Sequence, residues 1–212
     1  MKERPILFGP EMVRAILDGS KTMTRRIVKP QPPAEACSIT YHPSDYSVEV
    51  LQDKIAWFVE IAGDLWPCNR SEAIACPYGV PGDRLWVRET FCNFCNGDVC
   101  YRATNGNKCG LTNNEHAPQK WRPSIHMPRR ASRIFLEVLE VRVERVQDIN
   151  GHDVLAEGVD NGKSNPSCRQ RWENMQRMAF AELWNTIHKA KPEHQWQANP
   201  YVWVVKFKRI EP

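Results

Sequence analysis

No stretch of this chain approaches the roughly 20 consecutive apolar residues that a membrane-spanning helix requires. A charge excess large enough to coat nucleic acid is missing too: 29 Lys and Arg stand against 25 Asp and Glu, a formal net charge of +4. That balance excludes a uniformly basic surface and leaves room for local basic patches. Met1 to Phe8 has basic residues but no apolar run, and Pro5 interrupts it, so no secretory signal is read there. Internal repeats are absent as well. These absences predict a cytoplasmic protein with no membrane partner. In that compartment the eight cysteines are expected to be reduced thiols or metal ligands rather than disulfides. The 212 residues suffice for one sizeable domain, or for a core domain with insertions. Eight tryptophans fit a packed core or base stacking, and composition does not separate the two.

What is present centres on Gly19-Ser20-Lys21-Thr22-Met23-Thr24-Arg25-Arg26, which holds a lysine, two arginines and several hydroxyls with no acid. Before it, Arg4 to Phe8 reads as a short strand. Gly9-Pro10 then opens a helix, with proline at the first helical position. Met12, Val13, Ile16 and Leu17 recur at helical spacing, and Gly19 stands where a left-handed cap is wanted. After the cap the chain alternates. Thr22, Thr24, Arg26 and Val28 share one face; Met23, Arg25 and Ile27 share the other. Lys21 can join Thr24 only if it still belongs to the turn leaving the helix.

Residues 30–80 look like an insertion. Tyr46–Leu51 and Ala56–Ile61 are candidate strands of a hairpin. Pro81-Gly82-Asp83 is a turn before a strand over 84–90, where Glu89 extends the apolar row of Leu85 and Val87. The plain reading of Glu89 is a strand-end carboxylate reaching water; the functional one is a substrate contact. Cys92, Cys95, Cys100 and Cys109 then fall in a glycine-bent segment, a second insertion over 92–120. They suit a tetrahedral, purely structural zinc clip, although only one CxxC pair is present, and four reduced thiols in a loop remain the other reading. Lys120 to Arg133 carries five basic residues and no acid, with Trp121, Ser124 and His126 among them. Such a segment suits phosphate contacts and stacking, or is simply a solvated loop.

Ile134 to Val146 predicts a long strand whose apolar phase changes between Val138 and Leu139, the mark of a bulge. Asn150 to Gly158 predicts a short helix with Asn150 as N-cap and Gly158 as terminator. Glu157 then meets the negative end of the helix dipole, a local conflict of the kind found at sites. The longest helix is expected over 168–189, with Trp172, Met175, Ala179, Phe180, Leu183 and Ile187 as its core stripe. Tyr201 to Phe207 is a closing strand. Many strands and few helices argue for an α+β fold, with a small mixed or antiparallel barrel.

Four elements in this order carry a resemblance: Gly19-x-Lys21-Thr22-x-Thr24-x-Arg26 after a short helix, Gly82-Asp83 before a strand, Ala156-Glu157-Gly158 ending a helix, and the terminal strand Val202 to Phe207. They resemble the ASCH domain of the PUA-like superfamily, in an insertion-bearing form similar to phage and prophage proteins. The resemblance covers 1–29, 81–91 and 121–212. It implies a single domain built on a small PUA-like β-barrel with a few flanking helices, and a cleft for RNA or a modified nucleoside. One branch of that family looks like amidohydrolases of N4-acetylcytidine, whose Lys, Thr and Glu correspond to Lys21, Thr24 and Glu157; other relatives resemble ribonucleases.

Three functions follow as expectations. The first is binding of RNA or a nucleoside in a basic cleft, with Arg26, Glu89, Trp121, Ser124, His126 and Arg129 touching the ligand. The second is amide hydrolysis. Lys21, desolvated, would deprotonate the Thr24 hydroxyl; Thr24 would attack the carbonyl; Arg26 would steady the oxyanion; and Glu157 would carry the proton to the leaving amine. The third is RNA cleavage with His126 as general base. Against all three, Lys21 and Glu157 could form a structural salt bridge beside an ordinary strand hydroxyl.

Overall fold

Strand β1 (Glu3–Leu7) leads into helix α1 (Pro10–Leu17) and strand β2 (Met23–Ile27). The computed structural model describes residues 1–32, 38–42, 54–61, 64–67, 74–93, 99–105, 121–159 and 169–211. Within the first insertion lie β3 (Ser38–His42), β4 (Lys54–Ile61), β5 (Asp64–Pro67) and β6 (Ile74–Ala75). Next come β7 (Arg84–Arg88), β8 (Phe91–Asn93), β9 (Val99–Tyr101) and the short helix α2 (Arg102–Asn105). The last elements are β10 (Phe135–Arg145), α3 (Gly151–Ala156), α4 (Arg169–Ile187) and β11 (Tyr201–Ile210). The fold is α+β.

The central sheet runs β1-β7-β10-β11-β2. Its β1–β7 pair is parallel and its other pairs are antiparallel. Strand β11 lies between β10 and β2 and alternates strictly. Trp203, Val205 and Phe207 enter one core with Ile6, Ile16, Leu85 and Leu136. Val202 and Val204 enter the other with Met23, Val154, Phe180 and Trp184. A strand buried on both faces needs apolar residues at successive positions, which the run Val202 to Val205 supplies. α1 therefore packs on one face of the sheet, and α3 and α4 on the other. The register of β10 against β11 slips between Val138 and Glu140. This is the irregularity expected from the phase change in the sequence, and it leaves Leu139 41% exposed.

The expected hairpin partner of Ala56–Ile61 at Tyr46–Leu51 lies outside the described residues; among the described strands β4 pairs with β3, β5 and β6, all antiparallel. Two expectations need correction. The core stripe of α4 is rotated from the expected one. Gln176, Phe180 and Trp184 are its buried residues, whereas Ile187 is 51% exposed. Trp172 instead packs its ring against Gly151 and His152 of α3. Glu89, finally, does not reach water: it is 1% exposed, because the Arg133 guanidinium meets both of its carboxylate oxygens at 2.9 and 3.1 Å.

Candidate functional site: a buried charge network beside an aromatic cavity

α1 ends on Gly19 at φ +83°, a conformation that only glycine adopts without strain. The chain then turns back, and the Lys21 amide donates to the Ala15 carbonyl at 2.9 Å. Lys21 thus leaves from the turn, the condition under which it joins the other site residues. α3 closes with a Schellman motif. The Gly158 amide donates to Leu155 and the Val159 amide to Val154. Gly158, at φ +77°, lies so close to α1 and β2 that a Cβ there would stand 2.9 Å from the Ala15 Cβ and 3.1 Å from the Lys21 Cβ. The two helix ends are stitched by the Thr22 amide, which donates to the Ala156 carbonyl at 2.8 Å, and by an antiparallel bridge between Lys21 and Glu157.

This docking buries charge. The Lys21 ammonium donates to the Glu157 carbonyl and to its Oε2, both at 2.8 Å. Burial pushes the Lys21 pKa down, and the Glu157 carboxylate opposes that shift. The other oxygen, Oε1, accepts from Arg25 Nη1 at 3.4 Å. Arg25 also donates to Glu144, through Nε at 2.9 Å and through Nη2, and to Asp153 Oδ2 at 2.6 Å. Arg142 extends the network to Glu140, Glu144 and Asp153. Glu157 thus sits at the C-terminal end of α3, against the helix dipole, because two buried cations hold it there. Arg25 is the member that sequence reasoning missed. Alternation places it only on the face of Met23 and Ile27, and no signal in β2 points to carboxylates that lie about 120 residues later in the chain.

A cavity of about 610 Å³ opens beside this network. β2 supplies Thr24 and Arg26, and the end of α3 supplies Glu157. The last part of the first insertion supplies Tyr78, and the C-terminal half of α4 supplies Phe180, Trp184 and His188. The volume is that of a small-molecule site. Lys21 does not line it; its ammonium stands behind Glu157. Among the described residues, no hydrogen bond joins Lys21 to the Thr24 hydroxyl. Arg26 Nη2 donates to the Leu7 carbonyl at 2.6 Å, while its buried Nε has no hydrogen-bond partner among the described residues. Burial lowers the Arg26 pKa, with Tyr78 and Glu157 opposing; burial raises the Tyr78 phenol, so it stays protonated.

The remaining candidates lie elsewhere. None of Glu89, Trp121, Ser124, His126 and Arg129 lines the cavity. Arg133 pairs with Glu89 and stacks on Tyr101 at 4.0 Å. Arg129 pairs with Glu3 and stacks on Phe135 at 4.2 Å. Both arginines are therefore paired with carboxylates, Arg133 to a buried one and Arg129 at the surface, and His126 is exposed. Cys92 and Cys100 face each other across the β8–β9 hairpin, and both are buried. Cys95 and Cys109 lie outside the described residues. Among the described residues, no three His, Cys, Asp or Glu side chains gather into a metal site, and no helix is long and apolar enough to cross a membrane.

Comparison with protein-family models, characterised proteins and solved structures finds no match for this chain. Tyr78, Trp184 and His188 are further residues of the cavity wall that the sequence reading did not single out. For α4 a signal existed. Phe180, Trp184, Ile187 and His188 stand at positions i, i+4, i+7 and i+8 of one helix face, and the face that starts as core ends as cavity wall. For Tyr78 there was none, since it stands in a segment set aside as insertion.

Proposed function

We propose that this protein binds a modified nucleoside, free or within RNA, in the cavity beside Thr24, Arg26 and Glu157. The observation that carries this reading is the composition of the walls. Tyr78 and Trp184 bring aromatic side chains to the wall, the half-buried Tyr78 ring being the one open to a base, and a few polar residues stand beside them: Thr24, Glu157 and Arg26. The test is titration calorimetry with cytidine and N4-acetylcytidine. Micromolar binding of at least one is expected, with Thr24→Ala and Arg26→Ala each weakening it about tenfold, or about 1.4 kcal/mol. Absence of binding by both nucleosides at millimolar concentration overturns the reading.

The same reading assigns the chain to the ASCH domains and its sheet to a PUA-like barrel. Support comes from the order of the Gly19 cap, the Lys21 turn, the Gly158 terminator and β11. The contact from Arg26 on β2 to the Leu7 carbonyl on β1 adds to it, since these are the two end strands of the sheet and a barrel requires them to approach. A second reading, hydrolysis of an acylated base, is favoured by the depressed Lys21 pKa and by the place of Glu157 in the cavity wall. It needs Lys21 to be released toward Thr24. N4-acetylcytidine recovered unchanged by mass spectrometry after overnight incubation removes it. RNA cleavage by His126 ranks below both, since that side chain lies outside the cavity.

The opposed pair Cys92 and Cys100 supports a structural zinc held with Cys95 and Cys109. Elemental analysis of freshly purified protein is expected to give one zinc per chain.

A further inference from the structure

One wall of the cavity carries more positive charge than the nucleoside reading uses: beyond Arg26 it holds two lysines and two histidines. Arg26 and Lys29 come from β2 and the turn after it; His188, Lys191 and His194 come from the end of α4 and the 3₁₀ turn that follows. Lys191 and His194 are placed by successive reverse turns, the Lys191 amide donating to the His188 carbonyl at 3.0 Å and the His194 amide to Lys191 at 2.9 Å. The Trp184 indole N–H donates to the His194 carbonyl at 2.8 Å, and its ring lies 4.4 Å from that of His188.

These five residues line the same cavity, and among the described residues none of them forms an ion pair with a carboxylate. Among the described residues, Arg26, Lys29 and Lys191 have no carboxylate within ion-pair distance, and Arg26 Nε has no partner. The carboxylate in the cavity wall, Glu157, is already engaged by Lys21 and Arg25. Burial lowers the His188 pKa, and His194, Arg26 and Lys29 lower it further. At His194 burial again leads, Lys191 and Lys29 add to it, and the exposed Glu193 opposes. The dipole of α4 accounts for cations at that helix's own C-terminal end. It does not account for Arg26 and Lys29, which another element brings to the same place. Three cations gathered with two imidazoles in the wall of a cavity are relieved by an anion, which also favours protonation of the imidazoles.

We propose that Arg26, Lys29, His188, Lys191 and His194 form a phosphate subsite, so that the cavity takes a ribose-linked phosphate together with its base. This rests on the nucleoside reading for the base but stands on its own for the anion. The aromatic wall between Tyr78 and Trp184 then receives the base, and the phosphate sits toward the end of α4.

Two measurements test it. Inorganic phosphate is titrated into the full chain while the imidazole resonances of His188 and His194 are followed by NMR. Both are expected to move saturably, and Lys29→Ala/Lys191→Ala, which changes only exposed side chains, is expected to weaken the effect at least tenfold. Imidazole resonances that stay fixed overturn the subsite. Calorimetry then compares N4-acetylcytidine, its 5′-monophosphate and a tetranucleotide containing the same base. A tenfold or larger gain from the phosphate, lost in the double lysine variant, is the expected result. Equal affinity for nucleoside and monophosphate overturns the subsite and leaves the nucleoside reading intact. Phosphate binding with no nucleoside or nucleotide binding beyond it overturns the nucleoside reading and keeps the subsite. Tighter binding of the tetranucleotide assigns the phosphate to an RNA chain, and tighter binding of the monophosphate assigns it to a free nucleotide.

Discussion

Lys21 shows what a single residue's position costs and what it provides. Its side chain is wholly buried against Glu157, and a buried charge that loses its partner is strongly destabilising. Lys21→Met is expected to lower stability by about 3 kcal/mol in urea denaturation, because Glu157 would retain Arg25 alone. Lys21→Met with Glu157→Gln is expected to recover part of that loss; a double variant no more stable than Lys21→Met would mean that the pair is not energetically coupled. The placement of Lys21 was legible in the sequence, since a lysine two residues past a glycine cap must leave from the turn. Glu157 was legible as a misfit with the dipole of its own helix. Arg25 and its carboxylates were not, because Glu144 of β10, one strand beyond β11, and Asp153 of α3 come within reach of β2 only in the folded sheet. Glu89 was misjudged for a related reason: its partner Arg133 arrives from β10's approach, and burial followed the pairing.

Elements rather than residues decide whether the network assembles. The ends of α1 and α3 meet across Gly158, where any Cβ collides with Ala15 and Lys21 and the backbone is left-handed. Gly158→Ala is expected to destabilise the fold by about 2 kcal/mol or more and to weaken nucleoside binding, since Glu157 is the preceding residue. Thermal melts and calorimetry of the same sample check both; binding unchanged in a folded Gly158→Ala variant would separate the helix junction from the site. Helix positions were readable from caps and spacing, and α1 and α3 follow their signals closely. α4 was read correctly as a helix but given the wrong face. An apolar stripe does not say which of its edges meets the sheet, and Gln176 is buried where the stripe alone would have placed Met175.

At the scale of the molecule, the α+β class followed from the many strands and few helices read in the sequence, whereas the two cores on opposite faces of the sheet became visible only in the structure. The cavity was not legible, because its walls come from six separated stretches of the chain. The same wall gives the whole protein a pH response. His188 and His194 have folded pKa values below the ordinary 6.5, so the unfolded chain binds more protons near pH 6. Their contribution to stability is present above pH 6.5 and is lost as pH falls through that value toward the depressed folded ones. Denaturation midpoints measured from pH 8 to 5 are expected to fall on the acid side, and His188→Gln is expected to flatten that fall; an unchanged slope would remove the histidines from the response. Finally, β11 forms the seam between β10 and β2, yet it is the last of the described strands to be synthesised. Until residues 201–210 leave the ribosome, β2 has no sheet neighbour among the described strands and both cores lack their shared strand. The nascent chain thus carries the charges of β2 and the end of α3 well before it can bring them together, while the walls from α4 and β11 itself arrive last, so the site is completed only at the end.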